Sequence, residues 1–274
     1  MKTREFFLAL AVVAAAIATS CVKEQMDPQD KPGVQITGQV FKANPEVLTK
    51  STLVDLTPTW VEGDKIYVSG ANGEATCTFA EGNKFQTDEN VNIDGPYYAI
   101  YPAAEGHSVD SKGIFTVNVP AEQVVKVGQN VAAGALAAVA ASETTELHFK
   151  NVVGLVKINI KRNDITKVEI MTTAYENIAG TCTVDLNPDK ENEGEAPAIK
   201  LVADKANKII LTHESGAFPA GEYYATIHPR TISGILVIFT RINGEEEESV
   251  TIKKAASTLV ARNAGVDLGG FFEY

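Results

Sequence analysis

From Val34 to the C-terminus, apolar residues recur mainly at every second position. Val156, Ile158 and Ile160 alternate with Lys157, Asn159 and Lys161, and Cys182, Val184 and Leu186 alternate with Thr181, Thr183 and Asp185. Successive side chains of a strand point to opposite faces, so this period predicts strands with one face in a core and one in water. Runs rich in β-branched and aromatic residues predict further strands at 65–69, 75–79, 97–101, 114–119, 168–171, 208–212, 223–228, 235–240 and 250–253. Asn72-Gly73 and Asn243-Gly244 suit type I′ hairpin tips, whose two central residues both need positive φ. Many short strands with turns between them predict an all-β sandwich rather than alternating βαβ units.

One stretch breaks the period. Residues 131–141 contain seven alanines, and Ala is the best intrinsic helix former, so either a short helix or a strand imposed by tertiary packing is expected there. Eleven residues are too few to span a bilayer. Leu147 opens a second alternating set, which places a boundary near Thr145 and predicts an N-terminal β-sandwich domain at 34–145 and a C-terminal one at 146–274.

The first residues follow a different rule. Lys2 and Arg4 precede an apolar run at 6–17, which ends in Ala18-Thr19-Ser20 before Cys21. This is the order of a signal peptide, expected at 1–20, and the run is too short to stay as a membrane span. A small-residue box ending in Cys resembles the bacterial lipobox, with Ala18 where Leu is usual. It implies a diacylglycerol on the Cys21 thiol, with a plain secretory signal as the alternative. One acyl chain holds a protein weakly, whereas two or three on one residue anchor it stably. Residues 21–33, polar and proline-bearing, read as a flexible lipidated tether, and the address expected is a Gram-negative envelope.

Removing 1–20 takes Lys2, Arg4 and Glu5 from 24 basic and 35 acidic residues and leaves a net charge of −12. A polyanion would be repelled, so no nucleic acid partner is expected. Cys77 and Cys182 are too few for a disulfide framework, and two buried thiols are favoured over a bridge.

Catalytic chemistry finds little support. His107, His148, His213 and His228 show no metal-ligand spacing, and no nucleophile elbow or phosphate-binding glycine loop occurs, so no metal, no cofactor and no enzyme activity are expected. The acidic segment from Asp185 to Lys190 resembles a calcium loop but has Lys190 where glycine is needed and Ala196 where the bidentate Glu belongs. Glu245, Glu246, Glu247 and Glu248 read as a solvated turn flank. Tyr97, Tyr98, Tyr101, Tyr223 and Tyr224 could form a sugar-stacking platform, although tyrosine is also an ordinary half-buried strand residue.

Read in order, five phrases resemble the fimbrillin (Mfa-like) family, whose members build or cap type V pili on Gram-negative cell surfaces. They are Trp60-Val-Glu-Gly63-Asp64-Lys-Ile66-Tyr-Val68, Tyr97-Tyr98-Ala99-Ile-Tyr101-Pro102, Val119-Pro120-Ala-Glu-Gln123, Leu147-His-Phe149-Lys-Asn151-Val-Val-Gly154-Leu155 and Pro219-Ala-Gly221-Glu-Tyr223. The resemblance implies two tandem transthyretin-like β-sandwich domains and a structural or adhesive role as shaft, tip or anchor. The partners it implies are other pilus subunits, joined by strand addition, the outer membrane through the lipid on Cys21, and a host or bacterial surface ligand. The alternative is a lipid-anchored glycan-binding module of a polysaccharide uptake system.

In this family a protease removes an N-terminal strand and opens a groove for a strand of another subunit. No Arg lies between Arg4 and Arg162, so Lys50 is the substitute for an Arg-specific cut, giving a chain that starts at Ser51; Lys50 as a plain loop lysine is the alternative. At the other end, Phe271, Phe272 and Tyr274 are costly to leave in water. They either close their own sheet or act as an assembly strand docked on a neighbour.

Overall fold

The computed structural model describes residues 38–46, 60–88, 91–104, 106–132, 134–186, 197–244 and 246–267. Among them the protein is all-β, as the period of two requires, with no helix. The strands of the first half are β1 (Val40–Asn44), β2 (Lys65–Gly70), β3 (Gly73–Glu81), β4 (Lys84–Thr87), β5 (Tyr97–Tyr101), β6 (Ser108–Val109), β7 (Phe115–Val119), β8 (Glu122–Val125), β9 (Ala138–Ser142), β10 (Glu146–His148) and β11 (Lys150–Asn151). Those of the second half are β12 (Gly154–Ile160), β13 (Ile165–Thr172), β14 (Ala179–Asp185), β15 (Ala198–Ala206), β16 (Lys208–His213), β17 (Gly221–Ile227), β18 (Arg230–Ile232), β19 (Ile235–Asn243), β20 (Glu246–Lys254), β21 (Thr258–Val260) and β22 (Gly265–Asp267).

The largest sheet has the order β10-β1-β4-β3-β2-β5-β9-β11. Only Phe149 separates β10 from β11, so one stretch of chain is hydrogen-bonded to both ends and the sheet closes on itself. Closure leaves no free edge, and alternate side chains fill the interior. These are Phe41 and Ala43 of β1, Ile66 and Val68 of β2, Cys77, Phe85, Tyr97, Ala99, Ala138, Ala140, Leu147 and Phe149.

A second core lies among three smaller sheets. In these β12 runs between β17 and β22, β13 between β16 and β19, and β14 between β7 and β15. Val156, Ile158 and Ile160 bury one face of β12, and Val168 and Ile170 one face of β13. The edge strand β20 carries Glu246, Glu247, Glu248, Lys253 and Lys254, charges that discourage pairing with another chain.

The two cores share a wall. Ile100 and Val139 point away from the first core and into the second, so β5 and β9 are apolar on both faces. This decides the second part of the alanine-rich stretch. Residues 138–142 form a strand in spite of their helix propensity, because a wall buried on both sides needs small side chains there.

Strand pairing crosses the expected boundary near Thr145 in both directions. β10 and β11 complete the first sheet, whereas β7 pairs with β14 and β8 runs parallel to β16 in the second core. Both predicted hairpins form. At the first, Gly70 faces Gly73 across Ala71-Asn72, and Asn72 lacks the positive φ of a type I′ tip. At the second, Asn243 faces Glu246, with Gly244 at φ 68°.

Candidate functional site

The site begins with a five-residue strand. In Val40-Phe-Lys-Ala-Asn44 the period of two puts Phe41 and Ala43 inward, both with no exposure, and Lys42 outward. Burying a phenylalanine side chain contributes ~1.5–3 kcal/mol, so this short strand is held chiefly by Phe41 and by its backbone bonds. β1 is inserted between two neighbours, antiparallel to β4 with Phe41 opposite Phe85, and parallel to β10 with Ala43 beside Leu147. Its backbone is paired on both sides, with Ala43 N–H donating to Asn83 O at 2.7 Å and Lys42 N–H to Thr145 O at 2.9 Å.

Aromatic rings close over the strand. Phe41 meets Tyr97 edge to face, with ring centroids 5.2 Å apart. Trp60 packs against Phe85, Tyr101 and Phe149, and its indole Nε1 donates to Ala43 O at 2.9 Å. Asp64, whose Oδ2 accepts from Val61 N–H, takes the Tyr101 hydroxyl on Oδ1 at 3.0 Å. At the entrance to the strand the Gln39 amide bonds both N–H and C=O of Ile93. On the wet side Lys42 pairs with Glu146 at 2.8 Å, and its ammonium holds the Glu146 carboxyl below the usual carboxylate range.

Beyond β1 the chain enters a polar cluster. The Glu46 carboxylate takes both terminal nitrogens of Arg262, at 2.5 and 3.1 Å, and the backbone N–H of Asn151 at 2.8 Å. Arg262 Nη1 also donates to Asn151 O at 2.8 Å, and Asn151 Nδ2 to Asn263 Oδ1 at 2.6 Å. Arg262 and Glu46 keep only 19% and 15% of their side-chain surface exposed. The cluster thus joins the end of β1 to the turn that launches β22, where Asn263, itself buried, adopts φ 54°.

The residues singled out from sequence are distributed as follows. Cys21, Lys50, Ser51, Phe271, Phe272 and Tyr274 lie outside the described residues, as does most of the acidic stretch after Asp185. Glu46 and Trp60 flank the segment that contains Lys50 and Ser51. β22, the last described strand, runs parallel to β12 with Val266 beside Val156, and β12 continues past it to Ile160.

Cys77 and Cys182 are free thiols in separate cores, and burial pushes both up to about 12. The histidines do not converge, and no metal-binding group of His, Cys, Asp or Glu occurs among the described residues. His107 bonds Pro102 O and accepts from Asn118 N–H, His213 bonds Ser215, and His148 stands exposed next to Glu146. Tyr97, Tyr223 and Tyr224 are buried, and Tyr101 packs on Trp60, so these rings serve packing rather than a joint stacking face.

Two positions of the candidate site escaped the sequence reading. Glu46 and Arg262 are isolated charges 216 residues apart, and no local spacing announces their pairing. Gln123, by contrast, belongs to one of the five phrases. Its buried amide binds Thr226 as a strand would, accepting from Thr226 N–H at 3.0 Å and donating to Thr226 O at 2.7 Å.

No family profile matches the chain. No curated protein matches it either. Among solved structures it is similar to a candidate cell adhesion protein from Bacteroides ovatus, with 12% identity and a TM-score of 0.48 over 84% of this chain and 91% of that one. A second candidate cell adhesion protein, from Bacteroides fragilis, gives 9% identity and a TM-score of 0.41 over the same shares. At these scores neither likeness decides the fold or the function of this chain.

Proposed function

We propose that the chain is a cell-surface, fimbrillin-like structural or adhesive subunit that assembles by β-strand complementation. The observation that carries this reading is the seat of β1. It is the first described strand, it lies inside a closed sheet, and it precedes Lys50, the candidate cleavage position. Cleavage there, giving a chain that begins at Ser51, would free β1 to leave. The gap would bare the backbone groups of β4 and β10 and the space filled by Phe41 and Ala43. A strand from another subunit fits such a gap, its backbone completing both ladders and its alternate side chains refilling the core.

The remaining parts of the proposal are the lipid anchor on Cys21 of the chain before cleavage, an outer-membrane surface location, and Phe271, Phe272 and Tyr274 as the segment that either closes its own sheet or enters a neighbour. The glycan-binding alternative gains no support from the tyrosines, whose faces are engaged in packing.

Electron microscopy of cells with and without the protein tests the role. Surface filaments, or gold-labelled positions within filaments, are expected only in cells that make it, and identical surfaces with the protein absent from every filament would reject it. Labelled fatty acid tests the anchor. It should enter the wild type and not Cys21→Ser, and equal labelling of both would overturn the lipid site.

A further inference from the structure

We infer that the slot occupied by β1 selects its strand by a carboxylate as well as by apolar side chains, with Arg262 as the reader. This rests on the proposed exchange of β1 for another subunit's strand, and adds the chemistry that strand must carry.

The argument starts from what β1 would leave behind. Phe41 and Ala43 vacate apolar space, which any strand with apolar side chains two apart can refill. Glu46, three residues after Ala43, vacates something more demanding. Its carboxylate satisfies the Arg262 guanidinium through a two-point fork and also accepts from the backbone N–H of Asn151. Paired charges held by two parallel hydrogen bonds have strict geometry, and guanidinium matches carboxylate better than any other side-chain group. Arg262 is mostly covered and is fixed from behind by Asn151 O, while Asn151 is held by Asn263. The guanidinium therefore cannot swing freely into water when Glu46 departs. A partly buried charge that loses its partner is strongly disfavoured, as is a buried N–H left without an acceptor.

An incoming strand that reads apolar, any, apolar, any, any, Asp or Glu would refill the core space of Phe41 and Ala43 and answer Arg262 and the Asn151 N–H. A strand with Gln or Leu at the last of those positions would fill the same core and leave Arg262 unanswered. The discrimination lies outside the barrel core, so it acts in addition to shape. A clash or an unpaired charge against the wrong partner is how interfaces of similar apolar content are kept distinct.

The test uses the full mature chain with a sequence-specific protease site placed at residues 50–55. After cleavage, a fluorescent peptide copying residues 38–48 competes with the resident β1, and the same peptide with Glu46→Gln is run in parallel. The Gln peptide is expected to bind at least about tenfold more weakly to the wild-type chain. On Arg262→Gln the difference should shrink to about twofold, and Arg262→Lys, which keeps the charge but not the fork, should lie between; thermal melts establish that each variant is folded. Equal binding of the two peptides to the wild-type chain overturns the carboxylate reading while leaving strand exchange intact. Failure of both peptides to enter the cleaved chain overturns strand exchange and this inference together.

Discussion

Gln123 shows how one side chain can stand in for a missing strand. Its buried amide meets both backbone groups of the buried Thr226, and its Nε2 also reaches Pro120 O at 2.9 Å. Substituting leucine keeps the volume and removes every bond. Leaving buried backbone groups unpaired costs ~1–3 kcal/mol each, so Gln123→Leu is expected to lower stability by about 2–4 kcal/mol in urea unfolding. The exposed neighbour Glu122→Ala should change it by less than about 0.5 kcal/mol. His228 makes a different prediction. It is buried, both ring nitrogens lack a hydrogen-bond partner, and burial, aided by the charge of Arg230, lowers its pKa below the ordinary 6.5. The folded protein keeps the ring neutral while the unfolded chain takes up a proton near pH 6.5. Stability is therefore full above that pH and falls as pH drops through it. His107, shifted the same way by burial, shares the slope. His228→Phe should flatten the urea midpoint between about pH 7.5 and pH 5 without abolishing its slope. Glu176 acts in a separate window. Bonds from Thr172 and Ser233 pull its carboxyl down to about 2, so its stabilising effect is present above pH 4.5 and is lost as pH falls towards 2.

At the scale of elements, β9 carries the plainest lesson. Ala138 and Ala140 face the first core, and Val139 faces the second, so no side of the strand has room. Ala140→Leu is expected to cost at least ~1–3 kcal/mol, seen as a lower melting temperature, because overpacking a wall between two cores forces both to shift. The exposed Ala141→Leu on the same strand should be nearly neutral. Propensity alone left this stretch open between helix and strand. What decides it is contact with chain on both sides, and that information is not local. The strands themselves were legible wherever apolar and polar faces alternate, as in β12 and β14, since alternation reports that arrangement directly. Phrases chosen for their resemblance also proved to hold structural nodes: Trp60 caps β1, Leu147 and Phe149 fill the first core, and Tyr223 returns its hydroxyl to Pro219 O at 2.8 Å. Which strands pair across the molecule was not legible. β7 and β8 leave the first half of the chain for the second core, and no pattern within either strand says so. Glu46 and Arg262 were hidden for the same reason.

At the scale of the molecule, two cores are tied by a common wall, by strands traded across residue 145 and by the cluster around Glu46. β1 is unusual in this setting. It belongs to a sheet with no free edge, yet the described segment that carries it spans only residues 38–46, and the chain that follows contains Lys50. On the proposed cleavage, its departure would turn an edgeless sheet into one with a single gap. Phe41→Ala should loosen it, with a loss of ~3–5 kcal/mol from the uncleaved chain. The central claim is that assembly requires this departure. The direct measurement is the intact mass and N-terminal sequence of subunits recovered from assembled surface material. Subunits that begin at Ser51 and lack residues 38–46 are the predicted result. Assembled subunits that begin at Cys21 and still contain Phe41, Ala43 and Glu46 would contradict it.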